Sequence, residues 1–78
     1  MMTNDEAFEL IKKALDEVSE GASESLTMDT HLLEDDILDS LDAMSFMFEL
    51  EKMLGKSLAV DEEFSDFKIT TLIDLMQK

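Results

Sequence analysis

The chain has 78 residues, no cysteine and no proline, and a formal net charge of −14. This charge is opposite to the basic surface that nucleic-acid binding requires, and it disfavours binding to anionic membranes. The length predicts one small domain, residues 1–78, with no disulfide, no thiolate metal site and no cysteine nucleophile.

The N-terminal residues 1–6 are acidic where a secretory signal peptide would be basic, and no long apolar run follows them. We therefore expect a cytoplasmic protein without stable membrane insertion. The composition also favours helix, because glycine occurs only at Gly21 and Gly55.

The first predicted element is an amphipathic helix that begins after Thr3 and ends near Ser19. Thr3 followed by Glu6 is the pattern of a capping box, and Gly21 is a stop signal. Apolar residues recur on one side at the helical period. They are Ala7, Phe8, Leu10, Ile11, Ala14, Leu15 and Val18.

Residues 21–39 have no helical period and are rich in Ser, Thr, Asp and Glu. A loop of this length is usually functional or partly structured. We expect four apolar side chains to anchor it to the core: Leu26, Met28, Leu32 and Leu33. His31 is the only histidine, and without a surrounding ligand set it is interpreted as a loop or surface residue.

An acidic cluster lies in and after this loop, formed by Glu34, Asp35, Asp36, Asp39 and Asp42. A calcium loop needs carboxylates at alternating positions around a central glycine, and no glycine is present here. The cluster is interpreted as a solvated face that meets basic residues of partner proteins, and no metal site is predicted.

The second predicted helix runs from about Leu41 to Leu54, and Gly55 follows its end. Its polar side is one narrow stripe, which consists of Asp42, Ser45, Glu49 and Lys52. Most other positions are apolar, so this helix must pack on several neighbours or leave surface for a partner. Leu41 and Phe48 border the stripe and are candidates for exposed contacts with a partner. Glu49, on the predicted solvent side, is a further candidate partner-binding residue.

The C-terminal part predicts a short helix around Asp61 to Ser65 and a last helix capped by Thr70 or Thr71. Four residues supply apolar contacts in that last helix: Leu72, Ile73, Leu75 and Met76. The predicted fold is all-α, a small helical bundle of three main helices plus one short helix.

Ser40 stands at the predicted start of the second helix, between Asp39 and Leu41. One interpretation is that Asp39 or Ser40 simply caps the helix. The other is that Ser40 is a modified residue, because a phosphate ester at a helix start meets free N–H groups and the positive end of the dipole. No base that could activate Ser40 is evident, so the chain is not expected to be an enzyme.

Together, these features resemble the acyl carrier proteins of fatty-acid and polyketide synthesis. The resemblance covers nearly the whole chain, including Asp39-Ser40-Leu41-Asp42 and Ile69-Thr70-Thr71. It implies that Ser40 carries 4′-phosphopantetheine, which a Mg-dependent phosphopantetheinyl transferase takes from coenzyme A. It also implies that an acyl group is held on the arm as a thioester, and that synthesis enzymes with basic docking patches bind the second helix. Four residues match positions that meet partners: Asp39, Leu41, Asp42 and Met44.

Some residues depart from the family pattern and favour a specialised carrier. Asp36-Ile37-Leu38 stands where many carriers have a small run such as Leu-Gly-Ala, and Ser45 replaces a common glutamate. The methionines and phenylalanines of the second helix either fill the core or line a cavity for an acyl chain.

Two alternatives to this function stay open. The sequence Leu38-Asp39-Ser40 is similar to that found in aminoacyl carriers such as D-alanyl carrier proteins. An alternative of a different class is an acidic helical adaptor or a calcium-responsive module in which Ser40 is only a cap. In each case we expect a monomer.

Overall fold

The computed structural model describes residues 2–58 and 64–78. It contains three α-helices: α1 (Asn4–Val18), α2 (Ser40–Leu54) and α3 (Ile69–Met76). One 3₁₀ turn, Ala22–Ser25, follows α1. The described residues form no strand beyond an isolated antiparallel bridge between His31 and Lys68. The prediction of a small all-α bundle is confirmed.

The predicted capping box of α1 and its predicted end near Ser19 are confirmed. Thr3 caps the helix, since its hydroxyl accepts from the Glu6 N–H at 3.1 Å while the Glu6 carboxylate accepts from the Thr3 N–H at 3.0 Å. These hydrogen bonds to Thr3 hold the pKa of Glu6 below its ordinary value. At the other end α1 stops at Val18 with Ser19 as an extended C-cap, so Gly21 is not its terminating residue: with φ of 82° it begins the 3₁₀ turn that follows.

The α2 helix begins one residue earlier than the sequence predicts. Asp39 is the cap, because its Oδ1 accepts from the Asp42 N–H at 2.7 Å, and Ser40 is the first helical residue. Gly55 ends the helix at φ of 72°, as predicted, and its N–H donates to the Glu51 carbonyl.

The predicted threonine cap of α3 is wrong. The helix begins at Ile69 after Lys68, which makes no side-chain capping bond, so Thr70 and Thr71 lie inside the first turn. Its start is fixed from a distance, because the Ile69 N–H donates to the Thr30 carbonyl at 2.9 Å. This bond joins residues far apart in the sequence and has no local signal.

The short helix predicted around Asp61 to Ser65 falls mostly on residues 59–63, outside the described residues. Phe64 and Ser65 are described and are not helical. The short helical element in the described part of the chain is instead the 3₁₀ turn Ala22–Ser25. Its Ser23 is held by Asp16 of α1, whose carboxylate accepts from the Ser23 hydroxyl at 2.9 Å.

The core lies where α1 packs against both α2 and α3. Its largest fully buried side chains are Phe46, Phe67, Ile11, Leu15, Leu32, Leu50, Ile69 and Leu72. The predicted loop anchors are confirmed, since Leu26 and Leu32 are buried while Met28 and Leu33 are partly buried against the core. No helix within residues 2–58 and 64–78 is long and apolar enough to cross a membrane.

Candidate functional site

The candidate site is centred on Ser40, which is exposed at the first position of α2. Because the Asp39 carboxylate makes the capping bond, the Ser40 hydroxyl is not required for capping. The simple interpretation of this stretch as a cap therefore applies to Asp39. The N–H groups of the first helical turn and the helix dipole give the surroundings of Ser40 a positive component, which favours an attached anion.

An open groove of about 400 Å³ begins beside Ser40. Its lining comes from the start of α2, the long loop and the segment before α3, and consists of Leu33, Ser40, Leu41, Ala43, Met44, Phe64, Ser65 and Phe67. Phe64 and Phe67 pack edge to face, with ring centroids 5.2 Å apart and an interplanar angle of 67°. The described lining is mainly apolar, and its two serines are its polar members.

The outer side of α2 exposes four large apolar side chains. Leu41 is 77% exposed and Phe48 65%, which confirms the predicted exposure of both, and Met44 and Met53 are 44% and 37% exposed. Phe46 and Met47 are buried instead. The methionine and phenylalanine residues of α2 therefore divide between core and surface, so neither of the two interpretations holds for all of them.

The polar stripe of α2 is less exposed than the sequence predicts. Ser45 and Lys52 are exposed, while Asp42 and Glu49 are half-buried. The Lys52 ammonium lies 3.7 Å from the Glu49 carboxylate, one turn away. Asp42 and Glu49 are still accessible, and they flank the exposed apolar side chains of the same helix.

The acidic residues Glu34, Asp35 and Asp36 are exposed in the loop before Ser40. His31 lies among them, with Nε2 at 3.5 Å from Glu34 and 3.9 Å from Asp66, and its side chain is 15% exposed. Within the described residues no three acidic, histidine or cysteine side chains are arranged to hold a metal ion.

Two contributors to the site were missed by the sequence reasoning. Asp66 accepts from the Thr71 hydroxyl at 3.2 Å and from the Lys68 N–H at 3.4 Å, and so supports the start of α3 beside the groove. Asp36 has a positive φ of 58°, unlike every other described residue that is not glycine. Neither role has a recognised sequence signal, although Asp tolerates the left-handed conformation of Asp36 better than most residues do.

Comparison with known proteins adds no relative, since no family model, no curated protein and no solved structure matches the chain.

Proposed function

We propose that this protein is an acyl carrier whose Ser40 receives a 4′-phosphopantetheine group from coenzyme A. The observation that carries the proposal is the setting of Ser40. It is an exposed hydroxyl at the start of α2, it is released from capping by Asp39, and it borders an apolar groove. The resemblance of Asp39-Ser40-Leu41-Asp42 and its surroundings to carrier proteins supports the same function.

In the loading step the Ser40 oxygen attacks the β-phosphate of coenzyme A and forms a phosphodiester, while adenosine 3′,5′-bisphosphate leaves. The proton of the Ser40 hydroxyl goes to a base of the transferase, because the only imidazole of the chain, His31, contacts Glu34 and Asp66 instead. Once attached, the arm supplies a terminal thiol that holds the acyl group as a thioester. The protein itself displays the arm and is not an enzyme.

The partners would recognise α2. Leu41, Met44 and Phe48 form an exposed apolar strip that is flanked by carboxylates. The flanking carboxylates are Asp39, Asp42 and Glu49. A transferase or synthase with an apolar patch inside a basic rim is complementary to this surface, and the net charge of −14 would speed its approach.

The groove favours an apolar acyl cargo over an aminoacyl cargo. Its walls are the side chains of Leu33, Met44, Phe64 and Phe67, with Ala43 between them. None of the described lining residues is charged, so an ammonium group placed there would lose hydration without gaining a charged partner from them. The aminoacyl alternative therefore requires that its cargo stay in solvent.

Intact-mass spectrometry after incubation with coenzyme A, Mg²⁺ and a broad-specificity phosphopantetheinyl transferase tests the function. We expect a gain of one phosphopantetheine group in the wild type and no gain in Ser40→Ala. Ser45→Ala is the matched control, because Ser45 is an exposed serine of the same helix, and it should gain the full group. A folded wild-type protein that stays unmodified would contradict the carrier proposal and leave the adaptor alternative.

A further inference from the structure

The loop segment before Ser40 contains a single helical turn that begins at His31 and is capped at its N-terminal end. The His31 Nδ1 accepts from the Glu34 N–H at 3.1 Å, and the Asp35 carboxylate accepts from the His31 N–H at 3.0 Å. These two hydrogen bonds resemble a capping box in which an imidazole replaces the usual hydroxyl. The Asp35 N–H then closes the turn on the His31 carbonyl at 2.9 Å.

The turn ends at Asp36 in a Schellman motif. The Ile37 N–H donates to the Leu32 carbonyl at 3.1 Å, and the Asp36 N–H donates to the Leu33 carbonyl at 3.1 Å. A Schellman motif requires a left-handed residue at the first position after the helical cap. Asp36 occupies that position, with φ of 58°. Residues with a Cβ rarely adopt this conformation, and β-branched residues disfavour it most.

The turn is fixed to the rest of the fold on both sides. The fully buried Leu32 donates its N–H to the Phe67 carbonyl at 3.0 Å. The buried Leu38 donates to the Leu32 carbonyl at 2.9 Å, and Asp39 follows as the cap of α2. Leu33, inside the turn, forms part of the groove wall. The path from Asp36 to Ser40 thus passes through one buried anchor and one helix cap.

We propose that Asp36 is a positioning residue whose left-handed backbone holds the Ser40 hydroxyl and the Leu33 side of the groove in place for loading. This inference rests on the proposed function. The requirement is for the backbone conformation and not for the carboxylate, so asparagine and glycine at this position should serve equally well.

Amide hydrogen exchange tests the turn without reference to loading. In Asp36→Val, protection of the Ile37 and Leu38 amides should fall by up to about 5- to 30-fold, because valine bears the full cost of a left-handed conformation, which Asp, Asn and Gly largely avoid. Asp36→Gly and Asp36→Asn should keep the wild-type protection. The Ile11 and Leu50 amides, in α1 and α2, report whether the whole fold is affected, and Asp36→Ala is the milder variant if valine prevents folding.

Loading kinetics with the transferase then test positioning. Exposed turns have low local stability. A loss of protection of about 5- to 30-fold therefore lowers the fraction of molecules in which the turn is formed. Asp36→Val should lower kcat with little change in KM, because the docking surface on α2 is untouched, and Asp36→Gly and Asp36→Asn should restore kcat.

The outcomes separate the two proposals. If Asp36→Val shows unchanged exchange, or loses protection but keeps a normal kcat, the positioning role is overturned. The carrier function still holds in that case as long as the wild type is loaded. An increase in KM alone, or a loss of kcat in Asp36→Asn as well, assigns Asp36 to charge-based docking and also overturns positioning. A wild type that is never loaded overturns the carrier function and, with it, the role of Asp36.

Discussion

At Asp39 one carboxylate has two separable roles, because it caps α2 and also lies beside the proposed modification site. Asparagine caps helices about as well as aspartate, whereas alanine costs about 0.5–2 kcal/mol. We therefore expect Asp39→Ala to lower the free energy of unfolding in urea by about this amount and Asp39→Asn to leave it nearly unchanged.

The same pair of variants shows whether the charge of Asp39 is used in docking. If it is, Asp39→Asn should be loaded more slowly than wild type although its stability is intact, and the difference should shrink at high salt. Equal loading of Asp39→Asn and wild type would restrict Asp39 to capping. Equal stability of all three proteins would contradict the capping role itself.

Several residues of this fold could be assigned from local sequence alone. These residues act within three or four residues of their own position, so their patterns are visible in the sequence. They are Thr3 with Glu6, Gly55 and the aspartate before Ser40. Asp36 and Asp66 could not be assigned in this way. Their hydrogen bonds also lie within about five residues, but they belong to non-helical segments whose sequence has no periodic pattern.

At the scale of the element, α2 is apolar on nearly every side, and the sequence placed its exposed apolar residues only at the borders of the polar stripe. The structure separates two phenylalanines only two residues apart, since Phe46 is fully buried and Phe48 is 65% exposed. The packing of α1 against α2 decides between them, and helical periodicity is ambiguous when polar residues occupy so narrow a stripe.

Phe46 and Phe48 provide a matched test of the buried and exposed sides of α2. Phe46→Ala should lower the free energy of unfolding by about 3–5 kcal/mol, enough to unfold much of a marginally stable small domain. Phe48→Ala should change it by no more than about 0.5 kcal/mol, since its side chain gains little burial on folding. Urea unfolding followed by circular dichroism measures both.

Phe48→Ala should in turn weaken association with the transferase and raise the KM for loading, because exposed aromatic side chains are frequent anchors of interfaces. Wild-type KM in this variant would remove Phe48 from the docking surface. A loss of stability as large as that of Phe46→Ala would instead contradict the exposure of Phe48 in the fold.

The groove also belongs to the scale of elements, and the sequence predicted only methionines and phenylalanines of α2 as candidates for its lining. Leu33 and Phe67 meet α2 only because the Leu32 N–H bonds the Phe67 carbonyl. Hydrogen bonds between segments about 35 residues apart have no periodic signature, so this part of the site required the structure.

At the scale of the whole molecule, the excess of carboxylates destabilises the fold through repulsion and, under the proposed function, attracts basic partners. The principal extents are 30 × 26 × 20 Å, whereas charges are screened over about 30 Å at 0.01 M ionic strength and about 10 Å at 0.1 M. At the lower concentration carboxylates across the entire molecule repel one another, and at the higher only near neighbours do. Exposed ion pairs such as Lys12–Glu9 and Lys52–Glu49 contribute little to offset this.

Raising NaCl from 0.01 M to about 0.3 M should therefore stabilise the protein to urea and slow its loading at the same time, because both effects come from screening. Glu17→Lys separates them, since Glu17 is an exposed residue of α1 and its reversal reduces the net negative charge away from α2. In this variant the salt dependence of stability should flatten while that of loading persists. Loading that does not respond to salt in either protein would rule out the acidic surface as the main docking determinant.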